Sequence, residues 1–246
     1  MVPKRRSELD TIFDKLRDRI QIRDRTASSN ILAAGIMDYL KKDERKNVMI
    51  FGIPRGGIIV ADNIARKLKA DNLDILIPRK LTTPHNKENA FGAIMEDGVT
   101  TIIDDTIVEA LSISNEYIEQ EKARQRQEIN RRALLYRKSD KLLDYSNKIN
   151  NSQMTVVLVD DGAASGATLI VSARWIKERK EHKFKKLIIA VPVAPRDTAS
   201  VLEKECDHLE IITKASTSKF QTVSQYFKDF NPIDDKQVIE ILKKWN

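Results

Sequence analysis

Asp160 and Asp161 stand side by side at the end of the aliphatic run Val156–Val159 and are followed by Gly162, Ala163, Ala164, Ser165, Gly166, Ala167 and Thr168. Adjacent carboxylates repel one another unless a ligand or a cation compensates them. Side chains as small as those at 162–167 let backbone amides approach an anion. A helix beginning there directs its unpaired N–H groups and positive dipole end at the same point. Ser165 and Thr168 add hydroxyl donors. A phosphate monoester fits such a cup, while carboxylates at its rim accept hydrogen bonds from sugar hydroxyls. The pattern therefore points to a phosphorylated sugar rather than to an ordinary strand-to-helix turn. Neither G-x-x-x-x-G-K-[ST] nor a G-x-G-x-x-G after a strand is present, so the two common nucleotide fingerprints are absent.

The elements that must hold this segment follow from apolar spacing. Val156–Val159 lies in a predicted strand, Thr155–Val159, and Ala167–Arg179 in the helix after it. Asn47–Ile53 reads as a buried strand broken by Pro54-Arg55-Gly56-Gly57, after which Val60, Ile64 and Leu68 form a helical stripe. Further strands are expected at Leu73–Ile77, Leu187–Val191 and Leu209–Ile212, with a helical stretch near Arg196–Glu205. Arg79–Ala90 is polar and reads as a loop, and Phe91–Met95 with Val99–Ile103 flank Glu96-Asp97-Gly98 like a hairpin. Ser114–Lys138 reads as a charged surface helix with pairs such as Glu128 and Arg132. Before these, Ser7–Leu40 predicts two helices separated by a polar break at Arg23–Ser29; after them, Phe220, Val223, Tyr226, Phe227 and amphipathic Ile233–Trp245 predict a helical cap. Strands alternating with helices imply a central parallel sheet with right-handed crossovers. Ligands bind at the carboxyl ends of such strands, where the acids lie.

Composition agrees. A chain of 246 residues with 41% apolar residues can fill one large α/β domain with a small appendage. The lone cysteine, Cys206, excludes an internal disulfide, and with no export-type N-terminal pattern a cytoplasmic location is expected. Apolar runs such as Leu187–Pro195 fall short of the roughly 18 residues that cross a bilayer. A net charge of +7 favours anionic partners without choosing among them.

Val156–Thr168 resembles the phosphoribosyl pyrophosphate motif of type I phosphoribosyltransferases. The likeness runs through a branch of that family sharing Ile53-Pro54-Arg55-Gly56-Gly57, Arg79-Lys80-Leu81, Gly92-Ala93-Ile94, Arg131-Arg132 with Tyr136-Arg137, and Ala190–Pro195. The resemblance implies the type I fold over 1–246 as one domain. It would comprise N-terminal helices in 1–46, a mobile loop, hairpin and long helix in 79–138, a small hood, and a C-terminal cap in 213–246.

It also implies roles. Asp160 and Asp161 would bind the ribose hydroxyls, and Gly162–Thr168 would hold the 5-phosphate. Arg55, Gly56 and Gly57 would hold pyrophosphate, through a turn at Arg55-Gly56 that is often strained or cis in the family. Arg79 and Lys80 would act in catalysis, with His85 and Lys87 as further contacts of a loop that closes over the reacting centre. Mg2+ would be held through the ligand, with Asp160 and Asp161 as its protein partners. Arg131, Arg132, Tyr136 and Arg137 form either a salt-bridged face or a ligand-facing one. The Trp175 helix reads as core. The implied reaction displaces pyrophosphate with a nitrogen acceptor, a nucleobase by analogy. Ala164 stands where 6-oxopurine enzymes carry an acid, and the acceptor hood is expected from Phe91–Ile103 and Thr213–Phe227. The alternative is a phosphoribosyl pyrophosphate sensor acting on nucleic acid, against which stands the lack of a winged or helix-turn-helix segment. The family's preference implies a homodimer.

Overall fold

The computed structural model of the chain describes residues 21–70, 72–87, 89–137 and 149–245. The first of the two expected N-terminal helices, with Ile12, Leu16 and Ile20, lies outside them. Eight strands, β1 (Val48–Gly52), β2 (Asn72–Ile75), β3 (Arg79–Thr82), β4 (Ala90–Ile94), β5 (Thr101–Ile103), β6 (Thr155–Val159), β7 (Lys186–Pro195) and β8 (His208–Ala215), form two sheets among the described residues. The larger is entirely parallel in the order β2-β1-β6-β7-β8, and the smaller is the antiparallel set β3-β4-β5. The helices are α1 (Arg25–Tyr39), α2 (Gly56–Leu68), α3 (Asp105–Ala110), α4 (Asn115–Arg137), α5 (Ala167–Glu178), α6 (Arg196–Leu202) and α7 (Asp235–Leu242).

Parallel strands covered on both faces need apolar residues at every position, and β1 and β6 are buried throughout. Alternate side chains enter two cores. Ile50, Val157, Val159, Ile188 and Ala190 pack with α1, α2 and α7, whereas Met49, Phe51, Val156, Leu158 and Ile189 pack with α5 and its Trp175. Trp175 is core, as its spacing suggested.

Several boundaries differ from expectation, β2, β5 and β8 by a few residues and three others more tellingly. Helix α1 begins inside the expected polar break: Asp24 caps it by accepting the Ala27 N–H at 2.7 Å, and the buried hydroxyls of Ser28 and Ser29 bond the Arg25 carbonyl. Small polar residues that read as a break are here satisfied by cap and back-bonding. Strand β7 continues past Val191 through two prolines, because β8 pairs with it as far as Pro195. Arg79–Thr82, expected in a loop, is strand β3, paired with β4 and resting on α4.

Candidate active site

Strand order reverses between β1, whose chain continues to β2, and β6, whose chain continues to β7. That reversal opens a crevice at the carboxyl ends of the two strands. Gly52 and Val159 are in register there, and the Ile53 N–H donates to the Val159 carbonyl at 2.9 Å. Beyond Ile53 the Pro54–Arg55 peptide is cis, one bond ahead of Arg55-Gly56, and α2 begins at Gly56. A Cβ on Gly56 would lie 1.7 Å from Asp161 Oδ2, and one on Gly57 would lie 2.9 Å from the Asp160 Cα. These glycines sit in helix, so what demands them is the close approach of the two loops.

The β6–α5 loop carries the paired acids. Asp160 accepts the Asp161 N–H at 2.8 Å. Loss of water around Asp160, reinforced by the Asp161 carboxylate, pushes its carboxyl well above the usual range, with Lys80 opposing the shift. Asp161 is met by a residue that sequence reasoning did not single out: Arg25 donates from Nε to Asp161 Oδ2 at 2.8 Å. The loop then turns at Gly162 and Gly166, both at positive φ, 154° and 70°. Not every amide in the cradle is available to an anion, since Ala163 N–H donates to Val193 O at 2.9 Å. The Ala164 carbonyl accepts the Thr198 hydroxyl at 2.7 Å, which braces the loop against α6.

Basic residues face the acids from β3. Arg79 donates from Nε to Gln125 Oε1 at 2.9 Å, and burial followed by repulsion from Arg132 lowers its pKa. The strand is anchored by buried Glu121 of α4, which accepts the Thr82 N–H at 3.1 Å and its hydroxyl at 2.9 Å. Burial works to raise the Glu121 pKa, but hydrogen bonds from Arg124, Thr82 and Gln125 hold it below the usual value. Lys87, on the β3–β4 connection, donates to the Tyr117 hydroxyl at 3.2 Å.

A pocket of about 480 Å³ joins these parts. Arg55, Gly56, Arg79, Lys80, Lys87, Asp160, Asp161, Gly162, Ala163, Ala164, Gly166 and Thr168 line it. Gly57, His85, Ser165 and Ala167 do not line it; His85 and Ser165 are exposed, whereas Gly57 packs its backbone on Asp160. Arg79 and Lys80 stand on a paired strand rather than in a loop, and Lys87 and His85 follow that strand. Of the segments expected to form the hood, no residue of Phe91–Ile103 lines the pocket, Phe91 being fully buried, whereas Val223 of Thr213–Phe227 does; Phe230, just beyond that segment, lines it too. The basic run on α4 turns elsewhere. Arg131 and Arg132 pair with Glu128 at 2.8 and 2.7 Å, Arg137 with Glu96 at 3.0 Å, and the Tyr136 hydroxyl donates to Asp235 at 2.5 Å. The run is salt-bridged, but as a solvent face only at Arg131; Tyr136 is buried and the Arg137 side chain is only 7% exposed.

Residues 21–225 match the family described as the phosphoribosyl transferase domain. The chain belongs to this family. Its relatives include Rv0571c of Mycobacterium tuberculosis, provisionally named a phosphoribosyl transferase, which is 33% identical over 199 residues, 81% of this chain and 42% of that protein. The chain thus spans less than half the length of the curated relatives it matches. A crystal structure of TT1426 from Thermus thermophilus is similar with a TM-score of 0.68 and 30% identity, over 92% of this chain and 99% of that one. The central parallel sheet flanked by helices is the phosphoribosyl transferase fold.

Two features around the pocket of this phosphoribosyl transferase family member escaped the sequence. Arg25 falls in what looked like a polar break, and its partner Asp161 is 136 positions away, so no local pattern announces the pair. Glu121 looked like one more charge on a surface helix; spacing gives no sign that it is buried beneath Thr82. For magnesium, no group of three or more His, Cys, Asp or Glu residues capable of holding a metal occurs among the described residues. Two adjacent acids, one already engaged by Arg25, suit a cation that takes most of its oxygens from a ligand and water. The donor set fits Mg2+ in that indirect way.

Proposed function

We propose that the pocket binds phosphoribosyl pyrophosphate with Mg2+ and that the protein transfers the phosphoribosyl group to a nitrogen acceptor, a nucleobase by family analogy, releasing pyrophosphate. One observation carries this reading. Paired acids, a small-residue loop ahead of a helix, the Arg55-Gly56 turn and the cations of β3 all border one pocket at the switch point of the sheet. In this reading Asp160 and Asp161 hold the ribose hydroxyls and the 162–168 loop holds the 5-phosphate. The Arg55-Gly56-Gly57 segment holds pyrophosphate, with Gly57 permitting the contact of the two loops. Arg79 and Lys80 orient the leaving group and stabilise its growing charge, with Lys87 beside them. His85, exposed and away from the pocket wall, would reach the ligand only if its loop closed. Magnesium, when bound, supplies further neutralisation of pyrophosphate oxygens, held by the ligand next to Asp160 and Asp161. No protein nucleophile is required, because orientation and charge stabilisation suffice for displacement at the anomeric carbon. The reading places the protein in the cytoplasm as a homodimer and takes its 246 residues as one domain.

The test is pyrophosphate release from the donor and magnesium with a panel of purine, pyrimidine and other nitrogen acceptors. Release is expected with a specific acceptor, falling about a hundredfold in Lys80→Ala. No release with any acceptor, together with no donor binding by calorimetry, would sink the proposal.

A further inference from the structure

Arg25 opens α1, yet its side chain is only 9% exposed, and each of its three guanidinium nitrogens has a polar partner. Nε and Nη2 both meet Asp161 Oδ2 at 2.8 Å, while Nη1 donates to the Asn231 carbonyl at 2.8 Å. The guanidinium carbon lies 3.7 Å from the centre of the Phe230 ring, whose centroid is 4.8 Å from that of Phe227. The backbone reinforces this docking: Ile22 N–H donates to Tyr226 O at 2.8 Å, and Lys228 N–H donates to Ile22 O at 2.8 Å. Both Arg25 contacts to Asp161 fall on Oδ2, and Asp161 itself lines the pocket.

We infer that Arg25 is a positioning residue of the pocket, holding Asp161 in the orientation from which it grips a ribose hydroxyl and so tying sugar binding to the docking of α1 on the 226–231 segment. This rests on the reading of the pocket as a phosphoribosyl pyrophosphate site. A purely structural ion pair is the competing explanation. Buried pairs of that kind are commonly replaceable by apolar residues without loss of stability. Here Asp161 also lines the pocket beside a second acid, so its orientation bears on a ligand.

The two explanations separate in calorimetric titrations of the full chain with phosphoribosyl pyrophosphate plus Mg2+, with ribose 5-phosphate, and with inorganic pyrophosphate. Arg25→Gln is expected to weaken the two ribose-bearing ligands about tenfold to a hundredfold, the worth of a charge-assisted hydrogen bond, and to leave pyrophosphate within about twofold. In an Asp161→Asn background it should cause no further loss, since it acts through that carboxylate. Phe230→Leu, which keeps an apolar side chain but removes the ring, should give a weaker version of the same ligand-selective loss and serves if Arg25→Gln does not fold. Equal loss for all three ligands, additive losses in the double variant, or unchanged sugar affinity would each overturn the inference while leaving the pocket's reading intact. Wild-type protein that binds none of the three would overturn both.

Discussion

Asp160 is the residue where folding and ligand binding conflict. Its carboxyl is raised by lost hydration and by Asp161, so the folded chain holds that proton more tightly than the unfolded one. The group's contribution to stability is therefore full below its unfolded pKa of roughly 3.9 and is lost as pH rises through the folded value. Asp160→Asn removes the charge while keeping an acceptor for the Asp161 N–H. We expect this variant to melt higher than wild type at pH 7, by about 2–4 °C for each kcal/mol regained, with the gain shrinking toward pH 4 and donor affinity falling. A melting temperature at or below wild type at pH 7 would show that the repulsion is relieved by other means. The acids and the small-residue loop were legible at this scale because adjacency in sequence is adjacency in space across a tight loop. Arg25 was not, since its meaning depends on a carboxylate brought to it by the fold.

At the scale of elements, β3 and α4 act as a unit. Short, polar Arg79–Thr82 carries no strand pattern of its own, yet pairing with β4, with a register shift between Leu81 and Thr82, and the Glu121 bonds to Thr82 hold it in place and set Arg79 and Lys80 at the pocket wall. Local composition favoured a loop, and a buried carboxylate on a neighbouring helix overruled it. Glu121→Leu is expected to lower stability by about 1–3 kcal/mol for each buried group left unpaired, read from the denaturant midpoint, and to weaken donor binding as β3 loosens. Unchanged stability would mean that β3 is held by its ladder with β4 alone. The strands β1 and β6 were legible because each is a continuous apolar run between breakers. The failures lay at polar boundaries, at Arg23–Ser29 and Arg79–Thr82, where caps and tertiary partners decide.

For the whole molecule, the decisive arrangement is the strand order. The chain folds outward from β1 to β2 on one side and from β6 to β8 on the other, leaving both site loops at the one place where no crossover helix covers the strand ends. A site preformed in this way should bind its donor to the native state and not to the unfolded chain. At a donor concentration a hundred times its dissociation constant, with Mg2+, the gain is about 2.7 kcal/mol, or roughly 5–10 °C in melting temperature for a chain of this size. A melting curve indifferent to saturating donor would contradict a preformed site.

Residue order alone determined the buried strands, the paired acids, the small-residue cradle and the breaker at 54–57, because each is a pattern within a few neighbouring positions. Tertiary structure decided which charges face the pocket. It sent Arg131, Arg132 and Arg137 to carboxylates elsewhere, brought Arg25 onto Asp161, and stood Arg79 and Lys80 on a strand. A long charged side chain spans several ångströms in any direction, so its partner is set by the packing of distant elements and leaves no trace in the residues beside it.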